Sequence, residues 1–199
     1  MDLESILDEI NKIIEKLNSI IQQKNKSGDY FINSLCEDIF IETFNAIFNC
    51  NLKNLNYSKP NAPAIDLLDL SIDKKIIIQV TSSNTPKKLL DTITKYDNNI
   101  DSYGEYKELY HFILTKKSNS YKQKQINSRL INKPTFIFNI HEHIIDIFSI
   151  SNLLKKSYSN GLRIEKIVEI KDNLEKAING FEFKFESIKL KDKNLFNKT

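Results

Sequence analysis

The stretch that decides the fold is Asn61–Ser83, NAPAIDLLDLSIDKKIIIQVTSS. It reads as a strand carrying Asp66, a tight turn at Asp73-Lys74-Lys75, and a very apolar strand ending in Gln79-Val80-Thr81-Ser82. Alternate residues of a strand point to one face, so Gln79 and Thr81 share a face while Val80 turns into the core. An acidic residue on one strand and a polar pair on the next can set oxygen ligands around a divalent cation. A lysine is the usual companion of such a site, and Thr81 stands in its place.

Working outward, residues 2–26 form a strong helix candidate. Leu3, Ile6, Ile10, Ile13, Leu17 and Ile20 recur at spacings of three and four, and Leu7, Ile14 and Ile21 widen the stripe. The seam lasts about three heptads, the lower limit for a coiled coil. It admits two readings: a helix packed along its own domain, or an oligomerisation helix with Ile10 and Leu17 at the seam. Ser27-Gly28-Asp29 breaks the helix, with Ser27 or Asp29 available as the next cap. Residues 30–49 read as a second helix with Glu37 at the edge of its apolar side, then residues 51–63 as a loop. After the strand pair 64–71 and 75–82, Pro86 marks a helix start. A helix over 87–96, a buried strand 109–115, a polar surface helix 118–130 and a buried strand 135–140 follow. Residues 143–150 read as a short edge strand leading into a helix at 151–159. A last amphipathic helix spans 163–179. Phe181, Phe183 and Phe185 then alternate as in a strand or extended tail.

Strands alternating with helices predict an α/β fold, a mixed sheet covered by helices, preceded by a long N-terminal amphipathic helix. The expected divisions are the helix 1–27, a domain over 28–190 and a tail over 191–199. Glycine occurs only at 28, 104, 161 and 180, so neither a phosphate loop nor a dinucleotide fingerprint is present.

Composition narrows the function. The chain is mildly basic, with a net charge of +3, which permits nucleic-acid contact without demanding it. The positive charge is almost all lysine, since Arg129 and Arg163 are the only arginines. Lysine meets phosphate as a point charge, whereas arginine reads base edges, so backbone contact is expected rather than sequence reading. Lys87 and Lys88, with Lys116 and Lys117 of a cluster that continues to Lys122 and Lys124, are the candidate phosphate contacts; a solvated helix face explains the cluster equally. Cys36 and Cys50 lie about 20 Å apart if helical, too far for a disulfide, and reduced thiols suit a cytoplasmic protein. No secretory signal and no apolar run of about 18 residues is visible, so no membrane span is expected.

The candidate chemistry is phosphodiester hydrolysis. Mg2+ takes one or two carboxylates, carbonyl oxygens and waters, activates water and stabilises the charge growing on phosphate. Asp66 is the candidate central carboxylate, Gln79 an amide ligand, the Val80 carbonyl a third, and Glu37 a carboxylate approaching from the preceding helix. Thr81 cannot carry the missing charge, and Lys87 or Lys88 can reach over instead. Lys75 lies about 13 Å along the strand from Gln79 and is discounted. The plainer reading makes Asp66 a turn-capping carboxylate and Gln79 and Thr81 a solvated strand face. His141 and His143 lack a further ligand for zinc, and His111 reads as a satisfied core residue.

The chain resembles the bacterial SMEK domain at LKNLN (Leu52–Asn56), PNAPAIDL (Pro60–Leu67), QVTS (Gln79–Ser82), LLDTIT (Leu89–Thr94) and the acidic run Glu37-Asp38-Ile39-Phe40. The resemblance covers most of residues 1 to about 160, in order. It implies a restriction-endonuclease-like fold of the PD-(D/E)XK type, with Asp66, Gln79 and Glu37 in metal-site roles. It also implies an effector of bacterial antiphage systems that cuts nucleic acid, DNA first among the candidates, often beside a nucleotide-binding sensor partner. On that reading Mg2+ or Mn2+ is the cofactor, and a homodimer or higher oligomer is expected because two sites are needed to cut both strands. The alternative is an inactive nuclease fold that binds nucleic acid or a sensor protein.

Overall fold

A computed structural model describes residues 2–28, 31–59, 62–132, 136 and 138–196, with side chains through 181. Asp29, Pro60, Asn61 and Thr135, which figure in the sequence reading, lie outside the described residues.

Helix α1 (Leu3–Lys26) begins where the Asp2 carboxylate accepts from the Ser5 N–H at 2.9 Å. Its buried stripe is Ile6, Leu7, Ile10, Ile14, Leu17 and Ile21. The true helical period thus selects Ile14 and Ile21 over Ile13 and Ile20, which stay half-buried. Helix α2 (Phe31–Phe48) buries Ile32, Cys36, Phe40, Thr43 and Phe44. Strand β1 (Leu52–Asn54) and a 3-10 turn at Leu55–Tyr57 come next. β1 corrects the expectation of a loop: Leu52 and Asn54 are buried and Lys53 is exposed, a strand alternation too short to stand out in sequence.

Strands β2 (Leu67–Asp69) and β3 (Ile76–Thr81) pair antiparallel, Leu67 against Ile78. The connection spans residues 70–75, longer than the tight turn expected, and Lys75 takes φ 54° at its end. Helix α3 (Pro86–Asn98), with Thr85 as its cap and proline at its start, and the short α4 (Ile100–Tyr103) lead to β4 (Glu108–Ile113). Helix α5 (Gln123–Asn127), strand β5 (Ile144–Asp146), helix α6 (Ile150–Ser159) and helix α7 (Ile164–Phe196) complete the chain. The sheet has the order β1-β2-β3-β4-β5, antiparallel through β3 and parallel from β3 to β5. Parallel neighbours need a crossover, and α3 and α5 lie in those connections.

Both faces of the sheet are covered, so all six residues of β3 are buried. Ile76, Ile78, Val80 and Phe112 face one core with α1, α2, α6 and α7. Ile77, Leu109 and Ile113 face a second core with Leu89, Ile93 and Tyr96 of α3. Phe112 anchors α2 edge-on, with its ring 4.8 Å from both Phe40 and Phe44, each pair adding about 0.5–1.5 kcal/mol beyond the area it buries.

Three expectations are corrected. The helix at 118–130 shrinks to α5, because the Ser118 hydroxyl accepts from the Ser120 N–H and draws the backbone away from helix. The strand at 135–140 is not formed by its described residues. Phe136 and Phe138 are buried there as core side chains in a loop, and the Gln123 side chain takes the Phe138 carbonyl and the Ile140 N–H in place of a partner strand. The strand after residue 180 is helix instead: Ile167, Ile170, Leu174, Ile178 and Phe181 are buried at helical spacing, so Phe181 continues the α7 stripe.

Candidate functional site

Asp66 sits one residue before β2. Its N–H donates to the Ile78 carbonyl at 3.0 Å, which aligns its carboxylate with the end of β3. There the Val80 N–H donates to Asp66 Oδ2 at 2.7 Å, and Gln79 Nε2 donates to the same oxygen. Gln79 Nε2 also donates to the Val80 carbonyl at 3.0 Å. Asp66, Gln79 and Val80, grouped from the sequence, are therefore one hydrogen-bonded unit. Thr81 is engaged differently: its Oγ1 accepts from the Ser83 N–H at 3.1 Å, shaping the exit of β3.

Glu37 approaches from α2, one position past the buried Cys36, and is itself buried. Its Oε2 accepts from Asn56 Nδ2 at 2.9 Å and from Asn54 Nδ2 at 3.3 Å. Burial first, then the Asp66 charge, push the Glu37 carboxyl up to about 7, against the two amides. Burial also raises Asp66, opposed by the Val80 N–H, the Asn56 amide and the Lys88 charge. The Asn56 amide thus supports both carboxylates. Asp69 shows the contrast: burial would raise it, yet Ser71 and the Asn51 N–H hold it below the ordinary range, as befits a turn-closing group.

Asn54, Asn56 and Asp38 are residues that sequence reasoning missed. Asn54 Nδ2 donates to Asp38 Oδ1 at 2.8 Å, and the Tyr57 hydroxyl donates to Asp38 Oδ2 at 2.5 Å, with Tyr57 79% exposed. The two asparagines lie two apart in LKNLN, Asn54 ending β1 and Asn56 in the 3-10 turn that follows, so no single period marks them in the sequence.

The lysines divide. Lys87 is exposed and Lys88 half-buried on the first turn of α3. Lys88 acts on Asp66 and also on His111 of β4. Lys116 is exposed, and its carbonyl accepts from Asn84 Nδ2 at 2.9 Å beside the α3 entry. Lys117 is committed elsewhere: its ammonium donates to the Ile144 carbonyl at 3.2 Å. Ile10 and Leu17, expected at an oligomer seam, are fully buried in the chain's own core, where α1 lies against α7, α6 and α2. That face is already covered. His143 Nδ1 accepts from the Asn139 N–H at 2.9 Å and His141 is exposed, so neither joins the cluster. Cys36 and Cys50 are free thiols raised by burial.

Among the described residues, no three His, Cys, Asp or Glu side chains are placed to hold a metal ion. The donor set Glu37, Asp66 and the Gln79 amide still suits Mg2+, which needs only one or two carboxylates beside neutral oxygens and water. Two carboxylates raised by burial, one of them also by the other's charge, are the partners a cation would relieve. No helix among the described residues is long and apolar enough to cross a membrane.

Neither the curated proteins nor the solved structures hold a significant match to the chain. The model of one family, the SMEK domain, matches residues 9–156, most of the chain and all of the carboxylate cluster, and the chain belongs to that family.

Proposed function

We propose that the chain is a Mg2+- or Mn2+-dependent nuclease with a restriction-endonuclease-like fold, an effector of bacterial antiphage defence that cleaves phosphodiester bonds of DNA. The observation that carries the hydrolytic reading is the Asp66 carboxylate held by the Gln79 amide and the Val80 N–H at the end of β3, with the buried Glu37 of α2 held by Asn56 beside it. DNA and defence rest on the resemblance at LKNLN, PNAPAIDL and QVTS.

Asp66, Gln79 and Glu37 would hold the cation, which supplies an activated water and neutralises charge at phosphorus. Glu37, buried with its Oε2 held by two amides, would complete the carboxylate set around the cation. Lys88 brings the positive charge that Thr81 cannot. The Asn54 and Asn56 amides fix the Glu37 carboxylate for that task.

The test is plasmid cleavage with Mg2+ or Mn2+ by the wild type, Asp66→Ala and Lys88→Ala. Asp66→Ala abolishes cleavage, and Lys88→Ala lowers kcat by about 10²–10³-fold, while both still melt cooperatively. Equal cleavage by all three proteins would remove the site from Asp66. One observation favours the second reading, an inactive nucleic-acid-binding fold: Thr81, whose hydroxyl accepts from the Ser83 N–H, brings no charge where a lysine is usual. DNA binding without cleavage in either metal would select it.

A further inference from the structure

His111 lies next to Gln79 across the parallel β3–β4 pair, in register and on the same face of the sheet. It is fully buried, yet neither Nδ1 nor Nε2 has a hydrogen-bond partner. Buried polar atoms are nearly always paired, because an orphan loses its water without compensation. The charge of Lys88, the lysine that flanks Asp66, also acts on this ring. A neutral imidazole carries one N–H and one bare acceptor nitrogen, so the buried ring has an acceptor to offer.

Gln79 has the complementary problem. Its Nε2 now donates to Asp66 and to the Val80 carbonyl. A cation on Asp66 would meet those N–H groups, which repel it, and would be attracted by the amide oxygen. Turning the amide presents Oε1 to the cation and leaves Nε2 in search of an acceptor. We propose that His111 is the positioning residue that accepts from Gln79 Nε2 in the cation-bound state, locking the amide oxygen onto the metal. The proposal rests on the metal-site reading above. It explains why an apolar strand face keeps an unpartnered imidazole, and why a neutral amide can serve where a second strand carboxylate is usual. Outer partners of this kind commonly govern metal affinity by about 10–100-fold.

The experiment needs no turnover. The wild-type protein is titrated with Mg2+ while the ring nitrogens of its three histidines and the backbone amides of 66–81 are followed by NMR. Mn2+ affinity is then measured by calorimetry for the wild type, His111→Leu and His111→Gln, with the melting temperature of each metal-free protein. The expected result is that Mg2+ moves one ring nitrogen of His111 and leaves His141 and His143 in place. His111→Leu binds Mn2+ at least about tenfold more weakly without melting lower, since an apolar side chain removes the orphan atoms. His111→Gln, which restores an acceptor, regains part of the affinity. A Mg2+ response at Asp66 and Val80 with a silent His111 ring overturns this inference alone, as does wild-type affinity in His111→Leu. No response of residues 66–81 to either ion overturns both this inference and the metal-dependent nuclease. Should His111→Leu fail to fold, the wild-type spectra decide.

Discussion

Glu37 is the residue whose chemistry is most exposed to experiment. Its folded-state carboxyl titrates near 7, above the ordinary value of 4.5, so the folded chain holds a proton that the unfolded chain releases. Stability from this group is complete below about 4.5 and is lost as pH rises through about 7. The melting temperature is therefore expected to fall between pH 5 and pH 8. Glu37→Gln, which keeps an acceptor for Asn54 and Asn56 without the charge, flattens that slope and melts higher at pH 8; an unchanged slope would place the strain elsewhere. Added Mg2+ should recover stability at pH 8 in the wild type and much less in Glu37→Gln. At this scale the sequence was partly legible. Asp66, Gln79 and Glu37 announced themselves as polar residues in apolar surroundings. Asn54 and Asn56 did not, because an asparagine in a loop-like stretch carries no sign of the helix it will face. His111 read as a satisfied core residue and proved buried but unsatisfied, a fact that depends on which strand lies beside it.

At the scale of elements, periodicity located helices well and strands unevenly. α1, α2 and α3 begin and end within a residue or two of their sequence signals, where Asp2 and Thr85 act as caps. β1 was missed because three residues carry too little alternation. The end of α7 was misread because the aromatic alternation at 181–185 fits two periods, and only the face already buried at Ile167, Ile170, Leu174 and Ile178 chooses between them. α1 offers the clearest test. Alanine at Ile10 or Leu17 should cost about 2–5 kcal/mol by opening a cavity, seen as a urea midpoint lowered equally at all protein concentrations. Were the seam chiefly a joint between copies, the same changes would leave the folded chain intact and weaken only its association. The partly covered ion pair Lys171–Glu9 at 3.3 Å and the exposed pair Lys155–Glu4 at 2.7 Å border this face, but surface ion pairs contribute little and cannot replace it.

For the molecule as a whole, α1 closes one of two cores rather than standing outside a domain. Removing residues 1–27 should therefore uncover Ile32, Ile150, Ile167 and Ile170 of that core and give a chain that aggregates or lacks a cooperative melt by circular dichroism. A soluble, cooperatively folded 28–199 fragment would show the helix to be dispensable. The sequence by itself determined the α/β class, the long amphipathic first helix, the buried β3 strand and the polar cluster that ends it, because hydrophobic period and short polar motifs are local properties of the chain. Tertiary structure alone decided which partner each of these found. It placed Glu37 against Asp66, bound Thr81 to its own turn, set Lys88 beside the carboxylates and left His111 unpaired next to Gln79. Those relations join residues far apart in sequence, through strand register and helix packing, and no local pattern encodes them.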